Sequence, residues 1–227
     1  LQLRRQGRKH GVDDAESVVR KAAAFGAVAG RVMKMSSTRN QEDLAQYETR
    51  LALKNGKTVL VRPVLQTDEP LIVDLLNRLS SDSIYLRFLR PVRTLPKELL
   101  FHLTHLDYQS NFALAAVIRE DEKDAVIAVA RYGFDPREHL TDFAIVVRDD
   151  WQHFGLGKQM LSRIFAIGRE QGIFRFVSIV DSTNISMKRM LRGLDCAVNY
   201  SYEKGFTQVE VLVEEQKAVP RFRGTAF

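Results

Sequence analysis

Two glycines at the start of a predicted helix are the residues best placed to do chemistry in this sequence. Residues 141–158, TDFAIVVRDDWQHFGLGK, read as an apolar strand and a short turn, with Gly155 and Gly157 opening a long amphipathic stretch. Glycines there let the backbone turn sharply and approach a ligand closely. The first N–H groups of a helix have no backbone acceptor, and the helix dipole favours an anion among them. The segment is therefore a candidate site for a phosphate or diphosphate.

The loop does not match the two common nucleotide-binding fingerprints. The Rossmann motif needs a third glycine and an acidic residue on the next strand, and neither is present. The P-loop needs Ser or Thr after Gly-Lys, whereas Gly157-Lys158 is followed by Gln159. Taken alone, a Gly-x-Gly before a helix is as consistent with a structural turn as with a phosphate site.

The elements that must position this loop follow from hydrophobic periodicity. Strands are predicted at 48–53, 58–64, 111–119, 124–133, 141–148, 174–180, 196–202 and 206–213. Helices are predicted at 67–79 with Thr67 as N-cap, at 82–89, at 96–104 with Pro96 first, at 156–169 and at 184–193. The strand–helix–strand order across 141–180 predicts a crossover and hence a parallel pair. We therefore predict an α/β (α+β) domain with a mixed, mostly antiparallel sheet and helices on both faces.

The chain divides into three predicted regions. Residues 1–46 form a basic extension with a helix at 13–35 and a polar linker, residues 47–216 form the main domain, and residues 217–227 form a tail. The sequence begins with Leu1 rather than Met. We therefore expect either a piece of a longer protein, with an upstream domain in the full-length chain, or a sequence whose first residues are missing.

Composition and charge limit the classes of partner. The net charge is +6, but the excess lies in residues 1–57, with 12 Lys/Arg against 6 Asp/Glu; residues 58–227 hold 22 of each. A nucleic-acid binder would carry a basic face on its folded domain, so no nucleic-acid partner is expected. No apolar run approaches the roughly 20 residues needed to span a bilayer. The single cysteine, Cys196, favours a reducing compartment, and we expect the cytoplasm.

The loop resembles the signature of the GCN5-related N-acetyltransferase (GNAT) family. That signature is Gln/Arg-x-x-Gly-x-Gly/Ala at a strand–helix junction, and Gln152, Gly155 and Gly157 match each required place. Residues 62–92, RPVLQTDEPLIVDLLNRLSSDSIYLRFLRPV, and the run DFAIVVRDDWQHFGLG are similar to the bacterial protein-lysine acetyltransferase group. The likeness covers about residues 48–214 and implies a GNAT fold.

The resemblance implies acetyl-CoA as the co-substrate. In the family, the loop amides bind the coenzyme diphosphate, and the preceding strand carries a bulge and pairs with the pantetheine arm. That strand splays from its parallel neighbour, which leaves a cleft for the thioester. The loop contacts implied here are Gln152, His153, Phe154, Gly155, Leu156, Gly157 and Lys158. The strand and helix contacts implied are Ile145, Val146, Val147 and Asn184.

The resemblance also points to a general base. The lysine-acetyltransferase group places a Glu near the start of the strand that precedes the coenzyme loop. In this sequence that strand is predicted at 141–148, and Asp142 occupies the matching position. The alternative is a merely solvated acid at a strand edge; if the group acts, partial burial should raise its pKa.

The family often uses a Tyr in the helix after the next strand as general acid, but residues 184–193 contain none, and Tyr200 and Tyr202 read as core strand residues, so the general acid is left open. Cys196 could suggest an acyl-enzyme, but it reads as a small apolar core residue. No metal is expected. His102 and His105 lie on a predicted helix, but no carboxylate or cysteine cluster accompanies them.

Acceptor recognition is assigned to residues 81–92, SDSIYLRFLRPV. The family forms one wall of the acceptor cleft from its first two helices, which implies Tyr85, Arg87 and Phe88 as substrate-side residues; Phe88 fits a core position equally well. The function implied is acetyl transfer to an amine, most closely a protein lysine. Two alternatives remain, a small-molecule amine acetyltransferase and a non-catalytic acyl-CoA-sensing module.

Overall fold

The computed structural model describes residues 41–92, 94–135 and 139–214. The predicted helix at 13–35 and the predicted C-terminal tail lie outside these ranges. The described helices are α1 (Gln41–Leu44), α2 (Glu69–Asn77), α3 (Ser81–Phe88), α4 (Lys97–Thr104), α5 (Leu156–Glu170) and α6 (Ile185–Arg192). The strands are β1 (Thr49–Ala52), β2 (Thr58–Pro63), β3 (Asn111–Glu120), β4 (Lys123–Asp135), β5 (Leu140–Val147), β6 (Arg175–Asp181), β7 (Ala197–Glu203) and β8 (Phe206–Leu212). Each corresponds to an element predicted from the sequence, except α1.

The strands form one sheet in the order β1-β2-β3-β4-β5-β6-β8-β7. Neighbours pair antiparallel except β5 and β6, which are parallel, as the strand–helix–strand pattern predicts. The parallel ladder contains two pairs, Thr141 with Phe176 and Asp142 with Val177. Beyond Asp142 the two strands have no paired residues, so they separate toward the end of β5. The mixed sheet with a splayed central pair is confirmed.

Side-chain alternation along β5 divides the sheet into two faces. Phe143 points toward α5, where its ring lies 5.0 Å from that of Phe165 in an edge-to-face contact. Phe165 also packs on Phe176 of β6, 4.8 Å between ring centres. The residues next to Phe143 in β5, Asp142 and Ala144, therefore point to the opposite face of the sheet. Helices α2, α3 and α4 cover that face. The helices lie on both faces, as predicted.

Two local predictions are wrong. Thr67 is not the N-cap of α2. A 3₁₀ turn at Gln66–Asp68 precedes this helix, and Asp68, the last residue of the turn, occupies the N-cap position of α2. The Asp68 carboxylate instead accepts two hydrogen bonds from Arg62, at 2.6 and 2.7 Å. The bulge implied for β5 is also misplaced. The β4–β5 register runs without a shift, and the irregularity lies between β3 and β4, where Ile127 of β4 has no opposite residue.

The segment before β1 belongs to the same core. Leu44 at the end of α1 is 4% exposed and lies in the main hydrophobic cluster. Tyr47 packs edge-to-face on Phe112 of β3, 5.1 Å between ring centres. Leu44 and Tyr47 therefore join the segment before β1 to the core of the sheet.

Candidate active site

The loop between β5 and α5 has the geometry expected of an anion cradle. Gly155 flanks the helix with φ of 87°, a left-handed conformation that glycine adopts without strain. Among the backbone hydrogen bonds of the described residues, the first amide of this helix to find an acceptor is that of Gln159, bonded to Gly155 O. The N–H groups before it are therefore available to a ligand. The described loop thus presents several N–H groups at the positive end of a helix of 15 residues.

Gly157 is glycine because of close packing. A methyl group there would lie 2.8 Å from Met190 Sδ of α6 and 3.6 Å from both Ile145 Cδ1 and Val147 Cγ2 of β5. The start of α5 therefore lies directly against the end of β5. The predicted strand contacts and loop contacts are brought together, so one extended ligand can reach both.

Gln152 holds the loop to the end of β5. Its Nε2 donates to Val147 O at 3.0 Å and to Ser83 Oγ of α3 at 3.2 Å. The Leu156 side chain is 1% exposed in the core, so Leu156 can meet a ligand through its backbone only. Phe154 also packs against the core, and its carbonyl accepts from Lys54 N at 3.1 Å. The predicted loop residues therefore include anchors as well as ligand-facing groups.

A cleft of about 490 Å³ opens where β5 and β6 separate. The β5 wall is residues 142–145, the β6 wall is residues 178–180, and α3 covers the cleft with residues 86–89. Met187 of α6 closes one side. Of the predicted site residues, Ile145, Asp142, Arg87 and Phe88 line this one space. Sequence reasoning missed the β6 wall and Met187, which carry no distinctive residue type.

Asp142 is the acidic group of the cleft and is 7% exposed. Burial raises its pKa to about 6, against the lowering effect of the Arg131 and Arg87 charges. Among the described residues no ion pair joins Asp142 to either guanidinium. The alternative of a solvated strand-edge acid is therefore wrong, and the expected rise in pKa is found.

Arg131 of β4 was not anticipated from the sequence. It is 3% exposed, and its Nε and Nη1 have no hydrogen-bond partner among the described residues. Its guanidinium lies over Gly133, where an added methyl group would be 2.8 Å from Arg131 Nη2, 2.8 Å from Asn111 Oδ1 and 3.1 Å from Asp142 Oδ1. A charged residue inside the apolar run AVIAVARYG was the signal available.

The predicted acceptor-side residues occupy different places. Arg87 is half-buried, and burial followed by the Arg131 charge lowers its pKa to about 10. Tyr85 is 38% exposed, and its hydroxyl donates to Asp181 Oδ2 at the end of β6 over 3.2 Å. Asn184, implied as a pantetheine contact, caps α6, with Oδ1 accepting from Met187 N at 3.0 Å. That capping bond leaves the amide nitrogen as the group with which Asn184 could meet a ligand.

The tyrosines and the cysteine considered as further catalysts lie away from the cleft lining. Tyr200 and Tyr202 are on β7, which β8 separates from β6. Burial raises the pKa of the Cys196 thiol, which disfavours the thiolate needed for an acyl-enzyme. Cys196 is therefore poorly suited to form an acyl-enzyme.

Comparison with known proteins decides the family. The profile of the GNAT acetyltransferase family matches residues 81–195, more than half of the chain. The chain belongs to the GNAT family. The match runs from α3 through the cleft and the α5 loop to the end of α6, so it contains the whole candidate site. The family membership and the acetyltransferase class predicted from the loop signature are confirmed.

Relatives within this family are similar over most of the described domain. An acetyltransferase of Pseudomonas aeruginosa is 28% identical over 66% of this chain and 78% of its own length. The acetyltransferase Pat of Mycolicibacterium smegmatis is 28% identical over 74% of this chain, which spans only 50% of that protein. GNAT enzymes use acetyl-CoA, in keeping with the loop and cleft described above.

Solved structures show the same fold. The GNAT domain of S. lividans PAT superposes with a TM-score of 0.68 and 28% identity, covering 74% of this chain and 98% of that one. The structure of yncA from Salmonella typhimurium, determined with its cofactor acetyl-CoA, is similar in fold alone, with a TM-score of 0.51 and 19% identity over 71% of this chain and 97% of that one. No helix within the described ranges is long and apolar enough to cross a membrane.

Proposed function

We propose that this GNAT protein transfers the acetyl group of acetyl-CoA to a protein lysine by direct attack, with Asp142 as general base. The observation that carries the proposal is the position of Asp142. It is a buried carboxylate with a raised pKa, and it lines the cleft that opens beside the glycine loop. Perturbed acids in clefts are candidates for acid–base catalysis.

The coenzyme would lie along the end of β5. The free amides at the start of α5 suit its diphosphate, with His153, Gly155 and Lys158 as the nearest loop groups. The β5 backbone at residues 145–147 has no β6 partner in the described ladder, so its polar groups on that edge can bond the pantetheine amides. Asn184 would approach the same arm through its side-chain amide.

Asp142 would then activate the acceptor. A lysine ammonium has an ordinary pKa of about 10.4 and is not a nucleophile until it loses a proton. Asp142, ionised above about pH 6, takes that proton directly or through a water. The amine nitrogen bonds to the thioester carbon, the carbon–sulfur bond breaks, and the coenzyme leaves as a thiolate that takes up the second amine proton, directly or through water.

The acceptor class rests on three observations. Residues 62–92 resemble the protein-lysine acetyltransferase group, and two Pat proteins are among the relatives, each 28% identical. Tyr85 and Asp181 meet at the cleft entrance, where Tyr85 is exposed and the Asp181 carboxylate can attract a lysine cation. The Pat relatives have additional N-terminal domains, and an upstream domain in the full-length protein is part of the proposal.

Thiol release from acetyl-CoA tests the proposal. The chain is incubated with acetyl-CoA and either lysine-bearing proteins or free small amines, and the acetylated acceptors are identified by mass spectrometry. Acetylated lysines in proteins, with little turnover of small amines, support it. Turnover of small amines alone would make the protein a small-molecule acetyltransferase. Tight coenzyme binding without any turnover would indicate a sensing module instead.

A further inference from the structure

A second cavity adjoins the thioester cleft on the face covered by α2, α3 and α4. It is a small, partly open space of the size that about one or two water molecules, or the end of a ligand, would fill. Arg87, Phe88 and Ala144 line both cavities, so the two spaces meet under α3. The remaining walls are mostly apolar. They consist of Ile72, Leu75, Leu76, Leu103, Val129 and Val146, with Arg131 as the exception.

The guanidinium groups of Arg131 and Arg87, which line this cavity, have no ion-pair partner among the described residues. Arg131 is only 3% exposed, and its Nε and Nη1 have no hydrogen-bond partner among the described residues. Neither Arg131 nor Arg87 forms an ion pair within the described ranges. A buried arginine with unpaired N–H groups is costly unless an anion or water completes it. The cavity is therefore built to receive hydrogen-bond acceptors.

Asp142 does not supply those acceptors. It lies beside the guanidinium of Arg131, both within 3.1 Å of the methyl position over Gly133, yet the two groups form no ion pair. Asn111 Oδ1, at the same point, is also without a partner in the described structure. The Nε and Nη1 donors of Arg131 are therefore left for an acceptor that the described residues do not supply. Planar carboxylates match the donor fork of arginine.

The position of the cavity indicates which substrate would carry that carboxylate. An acyl chain would be held at its thioester carbon in the cleft, and its far end would point past Ala144, which lines both spaces. An acceptor amine instead approaches from the exposed side, where Tyr85 and Asp181 meet. The inner cavity is therefore reached from the acyl group.

We infer that Arg131 and Arg87 bind the free carboxylate of a short dicarboxylic acyl group, which makes the protein able to accept acyl-CoA donors of the succinyl or glutaryl type. This inference rests on the proposed placement of coenzyme A along β5. The apolar walls contact the methylene chain, and the two guanidiniums select against an acyl chain of the same length that ends in a methyl group. A site that hydrogen-bonds a polar group discriminates strongly against the analogue that lacks it.

Matched five-carbon donors test the inference. Affinities of glutaryl-CoA, pentanoyl-CoA and coenzyme A are measured by calorimetry without acceptor, and turnover of both thioesters is then compared. We expect glutaryl-CoA to bind at least about tenfold more tightly than pentanoyl-CoA, with the preference lost in Arg131→Met. Arg119→Met, an exposed residue paired with Asp124, is the control and should keep the preference.

The outcomes separate this inference from the proposed function. Equal binding of the two thioesters, or an unchanged preference in Arg131→Met, overturns the carboxylate site even if acetyl transfer proceeds normally. An Arg131→Met defect seen with acetyl-CoA only when the acceptor is acidic would also overturn it, because the carboxylate would then belong to the acceptor. Failure of coenzyme A itself to bind would instead defeat the placement on which both proposals rest.

Discussion

Gly133 of β4 lies directly opposite Asp142 of β5 in the antiparallel register. Because Gly133 has no side chain, the space above it holds the Arg131 guanidinium, Asn111 Oδ1 and the Asp142 carboxylate together. Three buried polar groups therefore meet at one backbone position beside the cleft. The environment of the proposed base depends on a glycine that lies outside the coenzyme loop.

Replacing Gly133 with Ala should disturb this arrangement. The new methyl group would lie 2.8 Å from Arg131 Nη2 and 3.1 Å from Asp142 Oδ1, so at least one side chain must move. We expect kcat to fall by at least about tenfold, since small misplacements of catalytic groups are costly. Steady-state kinetics and coenzyme calorimetry check this together. Unchanged kcat, with an unchanged melting temperature, would show that the packing over Gly133 does not matter to the reaction.

Asp142→Asn should remove the base while leaving the coenzyme site intact. The pKa of Asp142 is raised to about 6, so the ionised form predominates only above that pH. In the wild type, kcat/KM should rise with pH up to about 6 because of this group, and the Asp142→Asn variant should lose that limb. Its rate at neutral pH should fall roughly 100-fold or more.

The control for this profile is Asp181→Asn. The pKa of Asp181 is lowered, because hydrogen bonds from Thr183 and Tyr85 outweigh the opposing effect of burial. Replacing Asp181 should therefore leave unchanged the rise of kcat/KM with pH that is due to Asp142. A wild-type profile without such a limb, or an Asp142→Asn variant that retains it, would assign the titration to another group.

Gly155→Ala should weaken coenzyme binding through the backbone. Gly155 has φ of 87°, where an alanine is strained by about 1 kcal/mol. Relief of that strain would turn the loop amides away from the ligand. Gly172→Ala is the matched control, because Gly172 has φ of 79° at the other end of α5 and open space around it. Both variants should lose similar stability to urea, but only Gly155→Ala should lose affinity in calorimetry.

Arg148 holds the turn after β5, and its loss should reduce stability. Its buried guanidinium donates to Asp150 Oδ1 at 2.7 Å and to Glu120 Oε1 at 2.5 Å. We expect Arg148→Met to lower the free energy of unfolding by about 1 to 2 kcal/mol, because both carboxylates are partly solvated. Arg119→Met removes an exposed pair and should change it by less than about 0.5 kcal/mol. Equal effects in urea titrations would contradict this assignment.

The succession of strands along the chain and the glycine turn before α5 could be predicted because their signals are local. Alternating apolar residues indicate strands, the strand–helix–strand order implies the parallel pair, and Gly155 and Gly157 mark the helix start. Arg131 could not be assigned in this way. Its role depends on the cross-strand register that places Gly133 and Asn111 beside it, and register is a property of the paired sheet.

The wrong predictions have the same origin. Thr67 has the residue type of an N-cap, but Asp68 receives a tertiary pair from Arg62, and the chain enters α2 through a 3₁₀ turn. Asp142 at the start of a strand is consistent with a solvated acid until α3 is seen to cover it. In both places a long-range contact overrides the local preference.

Both proposals require that the amides flanking Gly155 and Gly157 bind the coenzyme diphosphate. Calorimetry of the full chain with acetyl-CoA and with pantetheine, which lacks the diphosphate, tests it most directly. The structure predicts measurable binding of acetyl-CoA and at least about a hundredfold weaker binding of pantetheine, in keeping with several lost charge-assisted hydrogen bonds. Equal affinities, or no heat with acetyl-CoA, would contradict it.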